Sequence, residues 1–227
     1  MNSPTMIASH WPTQADLGGQ PGHGPVQPEP EHELFHAAWE PRALALTLAM
    51  GATGAWNIDA SRAARETLPD YARLSYYEIW MAGLQRLLIE RGLVSDDEVA
   101  TGQLLQPALA LPRRLLAADV PAALARGSAT LRASTLPARF VVGDAVRTRS
   151  QAVDHHTRLP RYASGKLGHI ERLHGMHVQA DAHAQGLGEQ PEWLYTVVFN
   201  GTELWGAQAS AGLQVSINAW DSYLEPA

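Results

Sequence analysis

The spacing of apolar residues changes once along this chain, and that change limits the fold more than any other feature. In the front half Tyr77, Trp80, Met81, Leu84, Leu87 and Leu88 recur at intervals of three and four, which draws one apolar stripe down a helix from about Asp70 to Arg91. Gly92 supplies the left-handed residue that commonly ends a helix, and Ser95-Asp96-Asp97-Glu98 has the capping-box spacing that starts another. After Ala138 the period becomes two. RFVVGDAVRTRS alternates around a Gly-Asp turn, WLYTVVF is a dense β-branched and aromatic run, and LQVSINAW alternates again. A helical front and a strand-rich back define an α+β chain, with the short strands predicted to form a small antiparallel barrel of SH3-like type.

Two further segments complete the plan. Residues 1–33 carry little apolar period and many Gly, Pro and Gln, so they read as an extended arm, with Trp11 and Val26 as the side chains able to anchor it on a partner. Residues 34–100 form the helical domain, and residues 138–227 the barrel. Between them, residues 101–137 are rich in Ala, Leu and Pro and read as a connector with short helices at most.

Composition excludes several kinds of chemistry. There is no cysteine among the 227 residues, so the chain offers no disulfide, thiol nucleophile, zinc finger or iron–sulfur ligand of its own. A net charge of −6 lacks the basic field that sequence-independent nucleic-acid binding requires. Lys166 is the sole lysine, and arginine carries the rest of the positive charge. Arg42 is the first basic residue, and the apolar run from Ala43 to Trp56 is broken by glycines and shorter than the roughly 20 residues that span a bilayer. A cytoplasmic protein without a membrane partner is the expectation.

No catalytic set is complete in the sequence. His174, His177 and His183 cluster in HGMHVQADAH, but spacing fixes no third metal ligand, and exposed loop histidines are the simpler reading. Neither the G-x-S-x-G nucleophile elbow nor the phosphate-binding G-x-x-x-x-G-K-[ST] loop occurs.

A series of uncommon strings is more informative. In order they are Asp16-Leu17-Gly18-Gly19, Gly22-His23-Gly24-Pro25, Trp39-Glu40, Ser75-Tyr76-Tyr77-Glu78-x-Trp80 and Arg139-Phe140-x-x-Gly143-Asp144-x-Val146-Arg147. His156-Thr157-Arg158-x-Pro160-x-Tyr162-x-x-Gly165-Lys166-x-Gly168, Gly186-x-Gly188-Glu189-x-Pro191, Glu203-Leu204-Trp205-Gly206 and the terminal Tyr223-Leu224-Glu225-Pro226-Ala227 follow. This ordered set resembles the β subunits of nitrile hydratase over nearly the whole chain, most weakly between Thr101 and Pro137.

The resemblance implies an enzyme that hydrates a nitrile to an amide as a complex, an αβ heterodimer usually paired into α₂β₂. It implies a non-haem iron or non-corrinoid cobalt held by the α subunit in a Cys-x-x-Cys-Ser-Cys loop with two oxidised cysteines. It also implies that Arg62 and Arg158 hydrogen-bond the oxidised cysteine oxygens, a role suited to a permanently charged planar fork. Structural alternatives are an Arg62–Glu66 pair along one helix and a surface turn at Arg158. Tyr76 and Trp80 match the family's aromatic wall of the substrate channel, and Ile58 matches an apolar pocket position; the spacing of the two aromatics is equally that of a core face. Trp80 resembles cobalt-type rather than iron-type members, whereas Thr47 and Ser61 stand where cobalt-type members often have phenylalanine. Three other readings remain open: a thiocyanate hydrolase subunit, an assembly or metal-delivery factor for the α subunit, and an SH3-like binding module.

Overall fold

The structure is a computed structural model that describes residues 12–20, 22–150 and 153–227; Trp11, one of the two expected anchors, lies outside them. The front half folds as three main helices, α1 (Glu40–Gly51), α2 (Ile58–Glu66) and α3 (Tyr76–Glu90). Each start is written locally. Pro41 occupies the first turn of α1. The Asn57 side chain accepts from Ala60 N at 2.8 Å to cap α2. Glu78 reaches back to Ser75 N at 2.7 Å to open α3.

That last contact explains a difference from the periodicity. The helix expected from about Asp70 begins at Tyr76, because Leu74 and Ser75 are extended and residues 71–73 form only a single 3-10 turn. Downstream, Gly92 is left-handed and Ser95 caps α4 (Asp96–Thr101), as the sequence indicates. Trp56, Ala60, Ala64, Leu84 and Leu87 form the buried contact between α2 and α3. Residues 102–130 are mostly exposed and hold one further helix, α5 (Val120–Arg126).

The back half is an antiparallel sheet of six strands: β1 (Leu131–Arg132), β2 (Ala145–Thr148), β3 (Leu167–His177), β4 (Glu192–Asn200), β5 (Gln214–Trp220) and β6 (Leu224–Pro226). Its order is β5-β4-β3-β2-β6, with β1 paired to β3. The ladders draw an open path, in which no pairing joins β5 to β6 among the described residues, rather than the closed ring of a barrel. Ile170, Tyr195, Val197, Phe199, Ala219 and Leu224 fill the core beneath the sheet. The three strand-like runs supply β2, β4 and β5, although residues 139–144 of the first form no strand. By contrast, β3 is the longest strand and carries no clean alternation, because two register shifts break its pairing with β4 between Ile170 and Gly175.

At Gly168 the strands approach so closely that a Cβ would meet Val198 O at 2.7 Å and Val197 Cγ1 at 2.8 Å. Gly168→Ala is therefore expected to destabilise the chain by about 1–3 kcal/mol, the usual cost of overpacking a rigid interior. Thermal unfolding of the purified variant measures it.

Two short helices follow strands of the sheet: α6 (Ala180–Ala184) comes after β3, and α7 (Gly201–Trp205) after β4. Against α6 lies α2, through Asn57 Nδ2 donating to the His183 carbonyl at 2.7 Å and His183 Nδ1 contacting Asp59 Oδ2 at 2.8 Å. Residues 15 and 16 of the arm dock on this same body: Ala15 N donates to the Glu66 carbonyl at 3.0 Å, and Asp16 accepts from Arg161 N at 2.6 Å. Farther on it is exposed, and Val26 is 91% accessible. Among the described residues no helix is long and apolar enough to cross a membrane.

Candidate functional site

Arg62 lies on the second turn of α2, and Arg158 lies in the loop after β2, 96 positions later in the chain. Folding brings both to one cavity of about 420 Å³, lined also by Asp59, Pro160, His177, Asn218 and Trp220. The two halves of the chain thus contribute one guanidinium each.

Both arginines are organised by Glu66. Arg158 Nη1 donates to its two carboxylate oxygens at 3.1 and 3.0 Å, and Arg62 Nε stands 3.8 Å from Oε1. His156 Nε2 completes the set at 2.7 Å from Oε2. Arg62 is further held by Asp59 Oδ1 at 3.2 Å, one turn back on the same helix. Burial by itself would raise the Glu66 pKa. The hydrogen bond from His156 and the charges of Arg158, His156 and Arg62 together outweigh it and hold the carboxyl below its ordinary range. Glu66 is thus an anion at neutral pH, shared by the cations around it.

The backbone of the His156-Thr157-Arg158 loop is pinned from beneath. Arg158 N donates to Asp181 Oδ1 and to Tyr223 Oη, each at 3.2 Å, and Tyr223 Oη donates to the same Asp181 oxygen at 2.6 Å. Burial and the neighbouring Asp181 charge push the Tyr223 phenol far up, so it remains a protonated donor at any physiological pH. Each arginine side chain remains a little over one third exposed, at 36% for Arg62 and 37% for Arg158. Arg158 Nε and Nη2 make no hydrogen bond among the described residues, which leaves donors of a planar fork available to an anionic acceptor. The alternative sequence readings are thus partly met: Arg62 does contact Glu66, but Arg158 is no simple surface turn.

The expected substrate residues form a different group. Tyr76 and Trp80 stand one turn apart on α3 with ring centroids 5.6 Å apart, and Tyr77 and Phe35 extend the aromatic cluster. Tyr76 is 64% exposed, Trp80 is half-buried, and Ile58 at the start of α2 is 50% exposed. None of Ile58, Tyr76 and Trp80 lines the arginine cavity. Thr47 and Ser61 are both buried, and the Thr47 hydroxyl has no hydrogen-bond partner.

The three histidines are not exposed loop residues: His174 and His177 lie on β3, with His177 Nε2 3.3 Å from the His174 carbonyl, and His183 lies on α6, all partly buried. His174 pairs with Thr196 Oγ1 at 2.7 Å, His177 with Thr130 Oγ1 at 2.9 Å, and His183 with Asp59. Among the described residues no group of three or more His, Cys, Asp or Glu is placed to hold a metal ion. Sequence reasoning missed the roles of His156, Asp181 and Tyr223, and it treated Glu66 only as a rival explanation for Arg62. The spacing Asp59-x-x-Arg62-x-x-x-Glu66 was a usable signal for the acid hub. For Asp181 and Tyr223, which are 42 residues apart, no local signal exists.

Comparison with known proteins is consistent across the chain. Residues 12–123 match the family model described as nitrile hydratase beta subunit, N-terminal, and residues 129–226 match the C-terminal one. A Rhodococcus rhodochrous protein, low-molecular weight cobalt-containing nitrile hydratase subunit beta, is 38% identical over 221 residues, covering 93% of this chain and 98% of its own. A nitrile hydratase subunit beta from Pseudomonas putida is 38% identical over 215 residues with the same coverage. Thiocyanate hydrolase subunit alpha from Thiobacillus thioparus is 37% identical over only 67 residues, 30% of this chain and 53% of its own.

Proposed function

The chain belongs to the nitrile hydratase β-subunit family, and from that membership we propose how its own residues serve the hydration of a nitrile, R–C≡N plus one water, to the amide R–C(O)NH₂. It is the β component of that enzyme. The thiocyanate hydrolase reading is disfavoured, because that likeness spans less than a third of the chain.

The partner is an α subunit, in an αβ unit we expect to pair into α₂β₂. Cobalt is the metal assigned to the complex, since the Rhodococcus rhodochrous relative is named as cobalt-containing. We place that ion on the partner, because this chain has no thiolate to offer and the unengaged donors of Arg158 suit an anion rather than a cation. When bound there, the metal supplies Lewis acidity that polarises the nitrile.

The residues of this chain then have distinct parts. Arg62 and Arg158 donate from opposite halves to the oxidised sulfur oxygens of the partner's loop, holding their orientation and negative charge. Glu66 and Asp59 fix the two forks, and the Tyr223–Asp181 pair fixes the loop that carries Arg158. Tyr76, Trp80 and Ile58 form the apolar side of the substrate path, which α3 and the start of α2 offer to the assembled complex. The observation that carries this reading is the convergence of Arg62 and Arg158 on one cavity.

An SH3-like barrel remains the proposal for residues 138–227. The edges of a flat five-stranded sheet lie about 19 Å apart at roughly 4.8 Å per strand. Residues 220–224 connect the two edge strands β5 and β6 and reach about 14 Å at most, so the sheet has to curl. For the rest of the chain, the arm at 1–33, the helical domain at 34–100 and the connector at 101–137 are retained as the domain plan.

Expression with and without an α chain bearing Cys-x-x-Cys-Ser-Cys tests the function. The β chain alone is expected to form no amide, and the copurified complex to contain cobalt and hydrate nitriles. A β chain that binds metal and hydrates nitriles alone would overturn the two-subunit account.

A further inference from the structure

Between the cavity-facing arginines and the aromatic cluster of α3 stands a third arginine, Arg65. Its stem crosses from α2 onto α3 where Gly83 leaves room: a Cβ at Gly83 would collide with Arg65 Cγ and lie 3.4 Å from its Cα. Arg65 Nε donates to the Ser61 carbonyl one turn back, at 3.1 Å. The guanidinium carbon ends 4.6 Å from the centroid of the Trp80 ring.

Arg65 takes part in no ion pair among the described residues, although Arg62 beside it takes part in two. Burial first, and then the charge of Arg62, push its pKa below the ordinary arginine value. A partly dehydrated cation with no carboxylate at ion-pair distance among the described residues is drawn to the negative face of an indole. One end of the side chain is thus tied to the α2 backbone, its middle is wedged against Gly83, and its head covers Trp80. Tyr76 and Tyr77 flank the same indole at 5.6 and 6.0 Å.

We propose that Arg65 is a positioning residue that clamps the Trp80 indole and thereby sets nitrile selectivity, disfavouring aromatic nitriles relative to small aliphatic ones. This rests on the assignment of Trp80 to the substrate wall. A clamped indole cannot turn aside for a bulky substituent, and releasing it widens the path for the larger substrate.

The test is the ratio of kcat/KM for benzonitrile to kcat/KM for acetonitrile, measured on one preparation of the αβ complex. The fraction of active complex cancels in that ratio, so a loss of folding or assembly does not move it. Arg65→Met keeps the stem and removes the cation; it is expected to raise the ratio about three- to tenfold, within the range a cation–π contact supports. Arg65→Lys, which keeps a charge but loses the planar head, should fall between Met and wild type. Gly83→Ala displaces the stem by another route and should shift the ratio the same way, which carries the test if Arg65→Met does not assemble. Trp80→Ala separates the two layers of the argument. An unchanged ratio there removes Trp80 from the wall, and the clamp with it. A ratio that moves for Trp80→Ala but stays at or below wild type for Arg65→Met and Gly83→Ala overturns the clamp alone.

Discussion

Replacing Arg158 with lysine in the assembled complex is expected to cut amide formation per bound metal about 10- to 100-fold, the usual scale for a group that supports metal ligands from outside the coordination sphere. The charge survives this change but the geometry does not. Arg158 spends a single nitrogen, Nη1, on both oxygens of Glu66 and keeps Nε and Nη2 for a second acceptor. An ammonium gathers its three donors on one atom and has no planar fork, so it satisfies Glu66 or the acceptor proposed on the partner but not both in register. The backbone bonds of Arg158 to Asp181 and Tyr223 do not involve the side chain, so the loop and the subunit contact should persist. Turnover normalised to cobalt, with the complex followed by size-exclusion chromatography, separates catalysis from assembly. Arg62→Lys should behave in parallel through its lost contact with Asp59. Near-normal turnover in both variants would remove the arginines from the proposed role.

Glu66→Gln is expected to lower stability by about 1–3 kcal/mol and to reduce turnover as well. Removing one partner of a buried ion pair costs about 3–5 kcal/mol; this group is only partly shielded, with 21% of the Glu66 side chain exposed, and the smaller figure allows for that screening. The substitution keeps the shape and leaves Arg158, Arg62 and the buried His156 without their common anion. Its pH signature follows from the depressed carboxyl. A carboxyl whose folded pKa lies below its unfolded value contributes stability that is complete above the ordinary glutamate range, near 4.3, and is lost as pH falls through the lower folded value. The wild-type melting temperature should therefore fall more steeply in that acid window than that of Glu66→Gln, and the two curves should converge at its lower end. Parallel curves from pH 7 to pH 3 would show that Glu66 is not the shared counter-ion.

Much of the fold was legible because its determinants are local. The Ser95 capping box, the left-handed Gly92 and the strands in WLYTVVF and LQVSINAW depend on residues within a few positions of one another. α3 starts later than its apolar period predicts, because a periodic pattern does not register the extended Leu74 and Ser75 that delay it. β3 was harder still: each register shift moves side chains to the opposite face, so a bulged strand loses the alternation by which strands are recognised.

The site divides in the same way. By itself the sequence determined the family, through strings spread over the whole chain, and it determined that any thiolate ligands come from another polypeptide, because no cysteine is present. It also marked Arg62 and Arg158 as residues worth attention. Only the tertiary structure decided that these two share Glu66, that Tyr223 and Asp181 hold the loop beneath Arg158, and that Arg65 covers Trp80. The reason is distance along the chain: Glu66 and Arg158 are 92 residues apart, and an ion pair is specified by where two side chains end, which no spacing rule reaches across so long a separation.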